Sequence, residues 1–224
     1  MVLDFFRGGG DAQLEQIEAQ IRQMLVDDRH TFDTAINALI GGTNPELVRK
    51  DVHKTDRRVN KAERAVRREL VVHVSVRGAS ADISLVLASM SVVKDAERIG
   101  DYSKNIWDIA NSGVDLSNAE DIDTLIRYRD RTSRLIGETA RVFGEKDLEA
   151  AHSLLQGGDA MQAEYDKRIA EQLHTDRPAR EAVPRALLYR YFKRITAHLL
   201  NILTSLVMPI HRLDYYDEDK ADRE

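Results

Sequence analysis

Glu97 and Asp101 stand four residues apart in the segment Asp95-Ala-Glu-Arg-Ile-Gly-Asp-Tyr-Ser-Lys-Asn-Ile, and Asn105 follows at the same interval. On a helix, positions three and four apart share a face, so this spacing sets two carboxylates side by side with an amide one turn on. Upstream, Val86, Met90 and Val93 fall on nearly the same line, and the acidic pair extends a stripe that begins apolar. Like charges at this spacing cost a helix about 0.2–0.5 kcal/mol in water and more as they are buried. Something positive is therefore expected opposite them: a metal ion, an arginine or lysine, or solvent. The plain alternative is a salt-bridged surface, with Lys94, Arg98 and Lys104 at hand as counter-charges.

Other patterns carry less chemistry. The chain has no cysteine, so disulfides and thiolate metal sites are excluded, and any metal would be held by carboxylate, histidine or water. Oxygen ligands suit Mg, Mn or Fe over copper. Glu149-Ala-Ala-His152 and Glu171-Gln-Leu-His174 match the Glu-x-x-His spacing of di-iron bundles, which raises a di-metal carboxylate enzyme as a rival reading. Both pairs fall on one expected helix, however, roughly 30 Å apart at 1.5 Å per residue, too far to share a metal pair unless the helix kinks at Gly157-Gly158. No serine-histidine-aspartate set or phosphate-cradling glycine loop is visible, so no catalytic residue is assigned. Lys54, Arg57, Lys61, Arg64 and Arg68 form a basic ridge that reads as a solvated face or a docking surface. Without interleaved aromatics, and in a chain of net charge −5, nucleic acid is not the expected partner.

The elements that hold these residues are all helical. Four prolines in 224 residues, heptad-like apolar spacing and no strand alternation predict an all-α protein. A first helix is expected over 11–40, with Leu14, Ile17, Ile21, Leu25, Phe32, Ile36 and Leu39 inward. Thr43 or Asn44 should cap a second, with Pro45 in its first turn and an apolar stripe of Val48, Val52, Val59, Val66 and Leu70. Asp56 and Glu63 flank that stripe. A third helix carries Glu97 and ends at Gly113. The fourth is announced by Ser117 and Glu120 at capping-box spacing, the fifth runs over about 147–174, and the last from Pro184 to about Met208. Residues 1–10 and 209–224 are expected to be flexible, the acidic stretch from Asp214 being frayed.

The chain also repeats itself. A shift of 103 lays Phe32 on Leu135, Gly41 on Gly144, Asp56 on Asp159, Glu63 on Asp166 and Leu70 on Leu173, and a shift of 96 lays Arg98-Ile99 on Arg194-Ile195 and Asn105-Ile106 on Asn201-Ile202. Two tandem three-helix bundles follow, over 11–113 and 117–208. In the second copy Lys193 replaces Glu97 and Ala197 replaces Asp101, so a cation there would meet an ammonium. Any metal is therefore expected in the first bundle only, with Lys193 bridging to Asp166 or Asp159 in the second.

With that repeat and the Glu-Arg-Ile-Gly-Asp…Asn-Ile motif on its third helix, the chain resembles the PhoU family of phosphate-uptake regulators over nearly its whole length. The resemblance implies that Glu97 and Asp101 match the family's metal ligands and that Asp56 and Glu63 match acidic positions on the facing helix. Tyr102 stands where a histidine often follows the motif aspartate. The resemblance further implies a metal cofactor (Fe, Mn, Mg or Zn) and a cytoplasmic, non-enzymatic negative regulator. Its implied partners are the cytoplasmic subunit of a phosphate ABC transporter, a phosphate-responsive sensor histidine kinase and a second copy of the chain. A purely structural helical module is the remaining alternative. The first residues hold no apolar core of signal-peptide length, and Leu199–Ile210 is too short to span a bilayer.

Overall fold

A computed structural model describes residues 12–213 and 215. The expected flexible segment 1–10, and the acidic tail apart from Tyr215, lie outside the described residues. The described residues form six helices: α1 (Ala12–Ile40), α2 (Pro45–Arg77), α3 (Ile83–Asn111), α4 (Ile122–Glu145), α5 (Leu148–Leu173) and α6 (Ala179–Val207), with 3₁₀ turns at Gly78–Ser80 and Ile210–Arg212. No strand occurs among the described residues. The helices α1, α2 and α3 pack on one another, and α6 packs on α5 and α4. Contacts of α1 with α4 and of α3 with α6 join the two halves.

Local chemistry sets most of the boundaries. Asn44 caps α2 by accepting from the Glu46 amide at 3.0 Å, with Pro45 in the first position, and Gly78, at φ 54°, ends it. Asp82 caps α3 through the Leu85 amide and Asp147 caps α5 through the Ala150 amide. Every apolar residue expected inward on α1 is buried except Leu14, which packs partly exposed against the core.

Two helix starts and one expected kink differ from the sequence expectation, each for a tertiary reason. The expected capping box at Ser117 and Glu120 does not form, and α4 starts at Ile122. Glu120 is drawn off by Arg177, and Asp121 is clamped by the buried Arg185, whose Nε and Nη2 donate to its carboxylate at 3.0 and 2.8 Å. Those ion pairs outweigh the local cap. On α6 the helix begins at Ala179, five residues before Pro184. Proline there forfeits one hydrogen bond near the helix start, while the Arg185 guanidinium donates to the Glu181 carbonyl at 2.9 Å. Finally, α5 runs unbroken through Gly157-Gly158. A Cβ on Gly158 would lie 2.3 Å from Leu200 Cδ2, so this glycine admits α6 at close range and marks no break.

Candidate metal centre

The centre is built on α1, from a residue whose signal lies in helical periodicity. Ile17, Ile21, Met24, Asp28, Thr31, Ala35 and Ala38 recur at alternating intervals of four and three, and all are buried. Asp28 is therefore a carboxylate in a core position, and it is fully buried. Space for it comes from Gly100 of the Glu-Arg-Ile-Gly-Asp motif: a Cβ there would stand 2.7 Å from Asp28 Oδ1 and 3.6 Å from Val59 Cγ1. The motif glycine is thus the wall of the cradle that holds the aspartate.

Around Asp28 the charge is almost uniformly negative. Neither of its oxygens has a hydrogen-bond partner among the described residues. Burial first, then repulsion from Asp27, Glu97, Asp101 and Asp56, pushes its carboxyl well above the ordinary range. Asp101 is raised too, by burial and then by Glu97, with Arg98 pulling the other way. Three of the four carboxylates expected as ligands, Asp56, Glu97 and Asp101, thus face one buried aspartate from α2 and α3. Glu63 is engaged by cations: it pairs with Arg67 at 3.0 Å and, at 3.9 Å, with the Lys94 that also holds Glu97.

Cations guard the rim. Lys94 Nζ donates to Glu97 at 2.6 Å, Arg98 to Asp101 at 3.2 Å, and Arg58 takes Asp27 through two bonds of 2.5 and 2.7 Å. With those pairs in place, no three acidic or histidine residues among the described ones stand close enough to ligate a single ion. The donor chemistry nevertheless fits a hard cation. A desolvated carboxylate with both oxygens orphaned, ringed by others, is otherwise neutral only when protonated.

The second bundle repeats the scaffold without the charge. Leu125, Tyr128, Thr132, Leu135, Thr139 and Val142 of α4 reproduce the α1 spacing and are all buried, which sets Thr132 where Asp28 stands. The register here is a shift of 104, one more than the sequence comparison gave. By the shift of 96, Thr196 takes the place of Gly100. Thr132 is bonded to the Tyr165 hydroxyl at 3.1 Å. Lys193 donates to both oxygens of Asp166 at 2.7 and 2.6 Å, the bridge expected from sequence, although the aspartate faces solvent and the pair is not a buried one.

Asp95 and Tyr102 of the motif serve the joint between bundles. Arg194 can only donate, so His198 Nε2 accepts from it at 3.2 Å, and Nδ1–H donates to Asp95 at 2.8 Å. Tyr102 stacks on that imidazole at 5.7 Å. Glu149, His152, Glu171 and His174 are exposed, and Glu171 is bonded to Arg168.

The model of the PhoU domain matches residues 21–110, which span most of α1 and nearly all of α3. The crystal structure of PhoU from Pseudomonas aeruginosa matches with a TM-score of 0.77 at 22% sequence identity, covering 90% of this chain and 98% of that one. No curated protein sequence matches the chain.

Proposed function

We propose that this chain, which carries a PhoU domain in its first bundle and shares the PhoU fold across both, is a cytoplasmic regulator of phosphate uptake and phosphate-dependent signalling that works as a metal-binding adaptor. The observation that carries the metal part is Asp28, a fully buried carboxylate with two orphaned oxygens amid Asp56, Glu97 and Asp101. Those four residues would hold the ion, Fe, Mn, Mg or Zn, with Glu63 at most an outer neighbour. When bound, the ion supplies the positive charge that three helices share. Lys94 and Arg98 are the residues that must give way, and their flexible side chains at the rim can swing into solvent. No helix among the described residues is long and apolar enough to cross a membrane, so contact with a transporter or kinase would run through their parts outside the bilayer.

The partner reading rests on the family and is tested by affinity capture of the full chain from cells grown in high and in low phosphate. Recovery of a phosphate importer's cytoplasmic subunit or a sensor kinase supports it, and absence of both in both conditions overturns it. A second copy is also expected as a partner, which sedimentation at several concentrations would show.

A further inference from the structure

The outward face of α2 is used by neither bundle. Between positions 54 and 68 every exposed residue of that helix is a cation: Lys54, Arg57, Arg58, Lys61, Arg64 and Arg68. Arg58 is committed to Asp27. The other five have no ion pair or hydrogen bond among the described residues. Their spacing of three and four places them on one line, about 21 Å long at 1.5 Å per residue. Five unpaired cations in a row on a chain of net charge −5 are a local concentration of charge, since the molecule as a whole does not supply it.

Past Arg68 the exposed residues of α2 become mainly aliphatic, with Ser75 and Arg77 among them. Val71, Val72 and Val76 are exposed to 58%, 47% and 78%, and across the turn at Gly78–Ser80, Ile83 and Leu87 of α3 are exposed to 49% and 55%. A cationic ridge thus runs into five bare aliphatic side chains at the tip of the α2–α3 hairpin.

We infer that ridge and tip form a peripheral attachment surface for an anionic lipid bilayer, the ridge lying along the headgroups and the aliphatic tip resting at the interface. Charge complementarity selects an anionic partner. The ridge lacks the stacking aromatics that single strands of nucleic acid require. A partner helix would seek an apolar groove, whereas here the apolar residues crown the end of a hairpin, the shape that meets a plane. Two weak signals, charge and aliphatic contact, are the combination by which proteins that lie on membranes hold to them.

Co-sedimentation of the purified full chain with phosphatidylcholine vesicles, with and without phosphatidylglycerol, tests this. Binding is expected only to the anionic vesicles, falling as salt is raised. The variant Lys61→Gln/Arg64→Gln/Arg68→Gln should bind about a hundredfold more weakly, about fivefold per cation at about 1 kcal/mol each. Val72→Ser/Val76→Ser should weaken binding while leaving its salt dependence unchanged. Helical circular dichroism equal to that of the parent protein establishes that both variants fold, as substitutions at exposed positions should. No sedimentation with anionic vesicles overturns the inference, as does undiminished binding by the triple variant. Retention on an acidic polypeptide with none on vesicles would overturn it in favour of an acidic protein surface.

Discussion

Asp28 is a fully buried acid in the first bundle, and its stability effect has a definite sign. An acid whose folded pKa is raised carries no penalty below its unfolded value of about 3.9. The penalty grows as pH rises towards the raised folded value and is constant above it. Metal-free protein should therefore lose stability as pH climbs through that window. Asp28→Thr, which copies the second bundle's Thr132 at similar volume, should flatten the profile and be about 1–3 kcal/mol more stable than the parent at neutral pH in chelator. Urea unfolding at several pH values measures this, and an unchanged profile would count against the buried acid as its source. The wall of the cradle makes a second prediction. Gly100→Ala should cost about 1–3 kcal/mol by overpacking, because its Cβ meets the Asp28 carboxylate at 2.7 Å. Most of that cost should vanish in an Asp28→Ala background, and a thermal-melt double-mutant cycle returning zero coupling would contradict the contact. The aspartate was legible in the sequence as a charge on a strict four-three spacing. Following only the large apolar residues of α1 passes over it, because Leu14, Ile17, Ile21, Leu25 and Phe32 already account for an inward face.

Helix boundaries are legible in the sequence where their signals are local and hidden where the partners are remote. Asn44 with Pro45 fixes the start of α2 within a few residues. The start of α4 depends on Arg185, 64 residues from Asp121, which no capping pattern can register. The two glycines of α5 illustrate the same division. Sequence alone treats them alike, as helix-weakening residues. In the fold a Cβ at Gly157 meets nothing within 4 Å, whereas one at Gly158 meets Leu200 at 2.3 Å. Gly157→Ala should therefore stabilise by up to about 1 kcal/mol through helix propensity, and Gly158→Ala should destabilise by about 1–3 kcal/mol through overpacking. Thermal melts of the two single variants shifting in the same direction would contradict close packing of Leu200 on Gly158.

At the scale of the whole molecule, the chain pairs two similar bundles, one with a buried acid at Asp28 and one with Thr132 in the matching place. The duplication is visible in sequence because apolar spacing survives. The one-residue change of register on α4 is not, since Leu135 and Ile136 are both buried and either aligns acceptably with Phe32. That register matters for redesign. Lys193→Glu with Ala197→Asp restores only the rim of a site, because Thr132 and Thr196 still occupy the places of Asp28 and Gly100. Only with Thr132→Asp and Thr196→Gly added should the second bundle take up a metal, as counted by metal analysis of the purified variant. Uptake by the two-residue variant would show that the buried aspartate is dispensable. In the parent protein, a bound ion present at a hundredfold excess over its Kd should add about 2.7 kcal/mol of stability, all of it assigned to the first bundle. The most direct test is the metal content, by mass spectrometry, of the parent chain and of Asp28→Thr, purified alike from medium containing Fe, Mn, Mg and Zn. Metal retained by the parent and lost from the folded variant is the predicted result; equal content in the two, or none in the parent, would contradict a metal centre at Asp28.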